Sequence, residues 1–297
     1  MNLLITGAWP DAKNQLAQVE ALGHNVVFMQ TEKDGLPCEP EWIEGVVCNG
    51  LFLHHPISQF KNLRFIQLTS AGYDRVDMDY VREHSIEIHN AKGVYSIPMA
   101  EFAVCGVLSI YKQMRSFFRN QDSHAWEKNR GLKELFGKTA TIVGCGSVGT
   151  ECAKRFRAFG CWIEGINRSN RSDEAYDRIQ TSDKLDEILP VSDVLILAVP
   201  LTSDTEKLID RKRLELLPEN AVIANISRGK IIDETALAEL LKSGRIAGAV
   251  LDVFENEPLT EDSPIWSVPN LIATPHNSFV SEGNAQRLND VVMSKLI

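Results

Sequence analysis

Two side chains in the last third of the chain have the chemistry needed to bind a small carboxylate and to move a proton on it. His276 carries an imidazole, whose reference pKa of about 6.5 suits it to donate and accept a proton near neutral pH. Arg228 carries a guanidinium, whose planar fork matches a carboxylate in a way that a lysine ammonium does not. Singly, each residue has a plainer explanation, since His276 could end a strand and Arg228 could form a surface ion pair.

A glycine-rich run from Thr141 to Gly149 has the pattern of a dinucleotide-binding turn. Gly144, Gly146 and Gly149 complete a G-x-G-x-x-G between an apolar strand and a helix predicted over 148–159. Such glycines allow a tight bend, a close approach of the backbone to a pyrophosphate and close helix–strand packing. The helix N-terminus then faces the phosphates. We predict a dinucleotide site here, with a structural turn as the alternative.

The segment after the next strand bears on which dinucleotide binds. An NAD-specific site would place a carboxylate on the ribose hydroxyls near this point, but the residues present are Asn167, Arg168, Ser169, Asn170 and Arg171. These five residues include no carboxylate that would repel a 2′-phosphate, and they include two guanidiniums that could bind one bidentately. The segment therefore favours NADP(H), with NAD(H) still possible. The alternative is a solvated basic loop.

The elements that must position these residues alternate between short apolar strands and helices. Strands are predicted at 3–6, 26–29, 46–48, 64–68 and 86–89, then at 140–143, 161–166, 194–198, 221–225 and 247–251. Helices are predicted at 11–22, 233–242 and 282–296, the second with an Asp233 N-cap and a stop at Gly244. This rhythm predicts the α/β class, with two Rossmann-like, doubly wound parallel sheets.

One long helix is predicted from Ser96 through Phe118, with Pro98 in its first turn. It is apolar nearly all round between Phe102 and Tyr111, so it must be covered on more than one face. We expect a homodimer through this helix and neighbouring segments, although burial between domains or wholly inside one domain would also satisfy the pattern.

Composition excludes several classes of function. The formal charge of −9 disfavours a general nucleic-acid or anionic-membrane surface, and no apolar run approaches the length of a membrane span. The first apolar run reads as a strand rather than a signal peptide, and the six cysteines contain no C-x-x-C pair. We expect reduced thiols, a cytoplasmic location and no metal site, because the histidines lack zinc-ligand spacing.

Three segments taken together make the chemistry specific. They are Asn225–Gly229, Leu251–Pro258 and Thr274–His276, and they resemble, in this order, the signatures of the D-isomer-specific 2-hydroxyacid dehydrogenase family. The resemblance extends over nearly the whole chain, through 71–77, 90–93, 100–101 and 200–205. Within the family, members similar to glyoxylate/hydroxypyruvate reductases or phosphoglycerate dehydrogenases are the expected type.

The resemblance implies an oxidoreductase that transfers hydride between a nicotinamide cofactor and a small D-2-hydroxy acid or its 2-keto partner. His276 would be the general acid and base, and Glu257 would orient its ring and stabilise its protonated form. Arg228 would bind the substrate carboxylate. Ser70, Ala71 and Gly72 would complete the substrate pocket with Arg228 and His276. The implied cofactor contacts are Gly144, Gly146, Ser147, Val148, Gly149, Asn167, Arg168, Ser169, Arg171, Val199, Pro200, Thr205, Ile226, Ser227, Arg228, Asp252 and His276.

The resemblance also implies a discontinuous substrate domain, flavodoxin-like, of residues 1–95 plus 280–297, with the cofactor domain at 96–279. The active site would lie in the cleft, and hinge closure would exclude water. The sequence departs from the family at Asn167 and at Asn277-Ser278-Phe279, and it stops soon after the last helix, which could reduce the cover over the first domain.

Two other functions remain open. One is a nucleotide-sensing binding protein like the dehydrogenase-related corepressors, against which the complete set of Arg228, Glu257 and His276 argues. The other is a formate dehydrogenase relative, in which an amide typically stands beside the histidine, so Glu257 weighs against it. The side chain of the substrate is not determined, and glyoxylate, hydroxypyruvate, pyruvate and branched 2-keto acids all fit.

Overall fold

The computed structural model describes residues 1–169 and 171–297, so Asn170 of the predicted basic loop lies outside the described residues. The chain divides into two compact units. Unit 1 comprises Met1–Tyr95 and Ser281–Ile297, and unit 2 comprises Ser96–Val280. Each unit is built on its own parallel sheet.

Unit 1 contains a five-stranded parallel sheet in the order β2-β1-β3-β4-β5, which is the order of flavodoxin-like sheets. The strands are β1 (Asn2–Thr6), β2 (Asn25–Met29), β3 (Gly45–Cys48), β4 (Phe65–Leu68) and β5 (Glu87–His89). The helices are α1 (Ala12–Ala21), α2 (Met78–Glu83) and, from the end of the chain, α9 (Asn284–Leu296). Strands β3 and β4 are buried along their whole length, as expected when helices and loops cover both faces.

The C-terminal helix belongs to unit 1 because its apolar stripe packs on one face of this sheet. Leu288, Val292 and Leu296 of α9 are buried in one cluster with Leu3 and Ile5 of β1. The indole of Trp9 donates to the side-chain oxygen of Asn289 at 2.5 Å.

Unit 2 contains a seven-stranded parallel sheet in the order β12-β11-β10-β9-β6-β7-β8. The strands are β6 (Thr139–Val143), β7 (Trp162–Asn167), β8 (Arg178–Thr181), β9 (Val194–Leu197), β10 (Val222–Asn225), β11 (Gly248–Leu251) and β12 (Leu271–Ala273). The helices are α3 (Ser96–Tyr111), α4 (Met114–Asp122), α5 (Ser147–Ala158), α6 (Leu185–Ile188), α7 (Arg211–Leu216) and α8 (Glu234–Lys242).

The strand order of unit 2 reverses between β6 and β9, which is where doubly wound sheets bind ligands. The glycine-rich turn follows β6 directly. The two parallel sheets confirm the predicted α/β class and its doubly wound architecture.

The prediction of one helix from Ser96 through Phe118 was wrong. Helix α3 ends at Tyr111, and α4 starts at Met114. Gln113 between them has φ 53°, a left-handed conformation that interrupts the helical hydrogen-bond ladder. The break contains neither glycine nor proline, so no residue type marks it in the sequence. The short strands β8 and β12 were also missed, whereas the Asp233 cap was confirmed: its side chain accepts from the Ala236 amide at 2.9 Å.

Helix α3 is covered largely inside unit 2. It packs against α5, β10 and β11, and a methyl group added at Gly106 would lie 2.6 Å from a methyl of Val250. Its sequence is apolar on several sides because it packs both on the sheet and against α5, which packs on the same sheet. Cys105 and Glu101 are its exposed side chains.

All six cysteines are free thiols, four of them buried, as expected for small apolar core residues. Among the described residues, the helices are too short or too polar to cross a membrane.

Candidate active site

The glycine-rich turn of unit 2 has the geometry that a dinucleotide requires. Gly144 has φ +102°, and a Cβ there would lie 2.5 Å from the carbonyl oxygen of Ala198. A Cβ at Gly149 would lie 2.0 Å from the carbonyl oxygen of Gly144, so helix α5 can approach the turn only with glycine at this position. A Cβ at Gly146, by contrast, would meet nothing within 4 Å. The open space at the start of α5 fits a pyrophosphate approaching the backbone amides of Gly146, Ser147 and Val148.

The residues packed beneath this turn are apolar or uncharged. The Cys145 thiol is buried against β7, where a Cβ on Gly165 would lie 2.8 Å from its sulfur. Burial raises the pKa of Cys145 to about 11, so the thiol is protonated at neutral pH. Burial likewise raises the pKa of the neighbouring Tyr176. These residues support the turn by packing rather than by charge.

The loop after β7 carries the residues predicted to bind the adenosine ribose. The side-chain amide of Asn167 donates to the carbonyl of Ser169 at 3.0 Å, which folds the loop back on the strand end. Arg168 and Arg171 are both exposed. Arg171 donates to Asp173 at 3.1 Å, so the two predicted cations have different surroundings.

The three predicted catalytic residues follow three neighbouring strands of the same sheet. Arg228 follows β10, Glu257 follows β11 and His276 follows β12. These strands are parallel and adjacent in the order β12-β11-β10, so their carboxyl ends lie at one edge. Adjacent parallel strands thus bring together residues that are up to 48 positions apart in the sequence.

Glu257 and His276 are in direct contact. Nδ1 of His276 donates to Oε2 of Glu257 at 2.8 Å, and the other carboxylate oxygen, Oε1, accepts from the amide of Phe254 at 2.9 Å. A carboxylate can only accept, so Nδ1 carries the proton and Nε2 points away from Glu257. The His276 side chain is 40% exposed and that of Glu257 is 35% exposed, so the pair is open to solvent.

His276 has a left-handed backbone conformation, with φ 52°. For a residue other than glycine this backbone conformation costs about 1 kcal/mol or more of conformational free energy, which the surrounding hydrogen bonds must offset. The His276 amide donates to the carbonyl of Asp252 at 2.8 Å and to that of Thr274 at 3.0 Å. The sharp turn after β12 therefore aims the imidazole at Glu257.

Asp252 is the anchor of that turn. Its side chain is fully buried, and its carboxylate accepts from the Thr274 hydroxyl at 2.7 Å, the Asn277 amide at 2.8 Å and the Ser278 amide at 2.9 Å. The departure from the family at Asn277-Ser278 does not disturb these bonds, because they use backbone amides.

The backbone around Arg228 is fixed by close packing. A Cβ on Gly229 would lie 1.9 Å from the carbonyl carbon of Phe254, so the segment after β10 lies directly against the segment that leads to Glu257. The side-chain amide of Asn225 donates to the carbonyl of Arg228 at 2.9 Å. The guanidinium is half-buried and donates to the carbonyl of Ser227 at 2.7 Å.

The remaining predicted cofactor residues lie in unit 2 on loops after β9 and β10. Val199 approaches the glycine turn, since its methyl carbon would be 2.9 Å from a Cβ on Gly144. The Thr205 hydroxyl donates to the carbonyl of Pro200 at 2.7 Å. Ile226 is buried, and the Ser227 hydroxyl donates to Asn225 at 3.0 Å.

The predicted substrate residues of unit 1 form a compact turn after β4. The Ser70 hydroxyl donates to the carbonyl of Gly72 at 3.1 Å. The side-chain amide of Asn90 donates to the carbonyl of Ala71 at 2.6 Å, so the two carbonyls are occupied within unit 1. That the backbone amides of this turn bind the substrate stays a prediction.

Comparison with known proteins supports the same chemistry. The family model for the NAD-binding domain of D-isomer specific 2-hydroxyacid dehydrogenases matches residues 104–278. Glyoxylate reductase of Thermococcus kodakarensis is 32% identical over 244 residues, which are 79% of this chain and 73% of that one. D-3-phosphoglycerate dehydrogenase of Methanocaldococcus jannaschii is 33% identical over 244 residues, 81% of this chain but 46% of that longer one. A glyoxylate reductase structure from Paecilomyes thermophila has a TM-score of 0.85 at 27% identity, covering 99% of this chain and 94% of that one.

The chain belongs to the D-isomer specific 2-hydroxyacid dehydrogenase family. This confirms the predicted family and the prediction that the protein is an enzyme, which transfers hydride between a nicotinamide cofactor and 2-hydroxy or 2-keto acids. The glycine turn at the switch point of unit 2 stays the predicted dinucleotide site of this dehydrogenase.

Sequence reasoning missed two supporting residues of this dehydrogenase. Asp252 was predicted only as a cofactor contact, and nothing in its spacing indicated that it anchors the His276 turn. Asp173 was not singled out, although it is a carboxylate only two positions after Arg171. An acidic residue following a basic loop at that distance is a signal that the sequence did offer.

Proposed function

We propose that the enzyme is an NADP(H)-preferring reductase of small 2-keto acids, in which His276 is the acid/base, Glu257 its partner and Arg228 the carboxylate clamp. The observation that carries this proposal is the 2.8 Å contact between His276, after β12, and Glu257, after β11, the strand that lies next to the β10 strand of Arg228. A histidine held by a carboxylate, with its other nitrogen accessible, is the group that proton transfer to a carbonyl oxygen needs.

A bound nicotinamide would supply the hydride that reduces C2 of the keto acid. Arg228 orients the substrate carboxylate and stabilises the negative charge that develops on the carbonyl oxygen. His276 then donates the proton on Nε2 to that oxygen, while the Glu257 carboxylate beside Nδ1 holds the imidazole in place. In the oxidation of a 2-hydroxy acid the same nitrogen accepts the hydroxyl proton.

The residues that would hold the cofactor are proposed on local geometry. Gly144, Gly146, Ser147, Val148 and Gly149 surround the open space at the start of α5. Asn167, Arg168, Ser169 and Arg171 would face the adenosine ribose, and Val199, Pro200, Thr205, Ile226, Ser227 and Asp252 the rest of the dinucleotide. The amides of Ser70, Ala71 and Gly72 are proposed to bind the substrate carboxylate.

The preference for NADP(H) is proposed from the loop after β7. Asn167 stands where an acidic residue would repel a 2′-phosphate, and Arg168 is exposed. Among the described residues Arg168 makes no ion pair, so its guanidinium is available for a phosphate.

A panel of initial rates tests this function. Glyoxylate, hydroxypyruvate, pyruvate and a branched 2-keto acid would each be tested with NADPH and with NADH. We expect the highest kcat/KM with NADPH and a small 2-keto acid, since relatives such as that of Thermococcus kodakarensis are named glyoxylate reductases. A higher kcat/KM with NADH would refute the cofactor preference, and no turnover of any keto acid would refute the substrate class.

We also propose a homodimer, formed on the face of unit 2 that carries α4. This face has a groove of about 1060 Å³ lined by Phe118, Arg119, Trp266 and Leu271 among others. Phe118 and Trp266 of this groove are more than half exposed. Such clustered apolar exposure is typical of an interaction surface. Sedimentation equilibrium at micromolar concentration should show dimers, and a monomer throughout would refute the proposal.

A further inference from the structure

The loop after β7 contains a carboxylate beside one of its two predicted phosphate-binding cations. Oδ2 of Asp173 accepts from the Arg171 guanidinium at 3.1 Å, and from the Thr150 hydroxyl at 3.2 Å. Oδ1 accepts from the amide of Ala175 at 3.0 Å. Asp173 therefore ties the ribose-binding loop to the first turns of α5, the helix that starts at the glycine turn.

This arrangement gives the two arginines unequal roles. Arg171 is 40% exposed at its side chain and already shares one donor with a carboxylate, whereas Arg168 has no ion pair in the part of the chain that the structure describes. A 2′-phosphate that approaches Arg171 must share it with Asp173, and it is also repelled by the Asp173 charge. The carboxylate thus opposes the anion that the loop would otherwise attract.

We propose that Asp173 is a specificity-determining residue that limits the preference of this enzyme for a 2′-phosphorylated dinucleotide, by neutralising Arg171. The proposal rests on the proposed cofactor site. The residue that controls the preference between NADP(H) and NAD(H) would then lie two positions after Arg171. It would not lie at the end of β7, where Asn167 gives the ribose hydroxyls no charged partner.

The substitution Asp173→Asn tests this with little disturbance of the loop. Asparagine keeps a carbonyl oxygen for the Ala175 amide, and its amide group can donate to the Thr150 hydroxyl, which can accept as well as donate. Only the negative charge and the acceptor for Arg171 are lost. Glu174→Gln is the matched control, because it removes the same charge from an exposed neighbour in the same turn.

The readout is calorimetric binding of 2′,5′-ADP and of 5′-AMP to the full chain, which requires no turnover. We expect Asp173→Asn to bind 2′,5′-ADP about three- to fivefold more tightly, the size of an exposed ion-pair interaction, with 5′-AMP affinity unchanged. The gain should disappear in the Arg171→Ala, Asp173→Asn double variant and should shrink at higher NaCl concentration. Glu174→Gln should show a smaller gain or none.

An equal change for both nucleotides, no change for either, or the same gain in Glu174→Gln would overturn the role of Asp173. The wild-type ratio of affinities tests the cofactor proposal separately. If the wild type binds 5′-AMP as tightly as 2′,5′-ADP, the NADP(H) preference fails, yet a gain of 2′,5′-ADP affinity in Asp173→Asn would still support the inference about Asp173.

Discussion

Asp252 and His276 are joined through the backbone: the His276 amide donates to the Asp252 carbonyl at 2.8 Å, and the Asp252 carboxylate accepts from the amides of the next two residues, Asn277 and Ser278. One buried residue at the end of β11 thus holds the turn in which His276 takes its left-handed conformation. The His276 imidazole is positioned by the neighbouring strand β11 as much as by its own strand β12.

Asp252→Asn should therefore lose both stability and activity. In either orientation the new amide group would face a backbone N–H, that of Asn277 or that of Ser278, which leaves a buried donor without an acceptor and costs about 1–3 kcal/mol of unfolding free energy. The His276 turn should loosen, so kcat should fall further than KM rises. Urea unfolding and steady-state kinetics measure the two effects. Thr274→Val is the control, since it removes one hydroxyl donor and should cost about 0.5–1.5 kcal/mol. Equal kcat in Asp252→Asn and wild type would contradict the anchoring role.

His276→Ala should reduce keto-acid reduction by about 10²–10⁴-fold in kcat, because the proton donor is removed. The dinucleotide affinity should stay within about twofold, since the glycine turn is untouched. Glu257→Gln keeps an acceptor for Nδ1 but removes the charge, so its loss should be intermediate. Stopped-flow measurement of cofactor oxidation, with binding followed by fluorescence, separates the two quantities. Near-full activity in His276→Ala would refute the mechanism.

Two glycines of the cofactor turn should respond differently to alanine. Gly146→Ala adds a methyl group into open space, so the thermal midpoint should stay the same while dinucleotide affinity falls about tenfold or more, because the methyl occupies the path of the pyrophosphate. Gly149→Ala forces a methyl to 2.0 Å from the Gly144 carbonyl, so the protein should lose stability even without cofactor. Calorimetry of the unliganded proteins and titration with dinucleotide distinguish the two outcomes. An unchanged affinity in Gly146→Ala would place the phosphates elsewhere.

Glu234 should make the stability of the enzyme depend on pH. Burial raises the pKa of Glu234; the hydrogen bond from the Glu255 amide opposes this, and the Glu255 carboxylate adds to it. Because the folded state binds this proton more tightly than the unfolded state, stability is full below the ordinary glutamate value of 4.5 and falls as pH rises through the raised value. Glu234→Gln retains an acceptor for the Glu255 amide, at 3.0 Å in the wild type, and removes the penalty.

The thermal midpoint of Glu234→Gln should accordingly exceed that of the wild type at pH 7.5, and the difference should shrink at pH 4. Glu261→Gln, at an exposed position, serves as the control for a general charge effect. A difference that is the same at both pH values would show that Glu234 does not act through its titration.

Much of the fold could be predicted because the spacing of hydrophobic residues and the residue types that form turns can be recognised within short stretches of sequence. The apolar runs of β6, β9 and β10, the Asp233 cap and the glycine turn each show themselves within a few residues. The break at Gln113 could not be predicted, because a left-handed glutamine is held by its surroundings and not by its own propensity. Strand β12 was missed because three residues give too little alternation to recognise.

The sequence by itself determined the α/β class, the chemical groups available to the site and, through three ordered segments, the family. Residue type and spacing are enough for these, because imidazole, guanidinium and glycine have properties that do not depend on the fold. The tertiary structure showed the contact between Glu257 and His276 that the resemblance implied, and it alone decided that Asp252 anchors the turn of His276 and that Asp173 occupies Arg171. The contacts of Glu257 and Asp252 join segments that are distant along the chain, so strand order and packing fix them. The contact between Asp173 and Arg171 joins near neighbours, and it depends on the direction in which their side chains point.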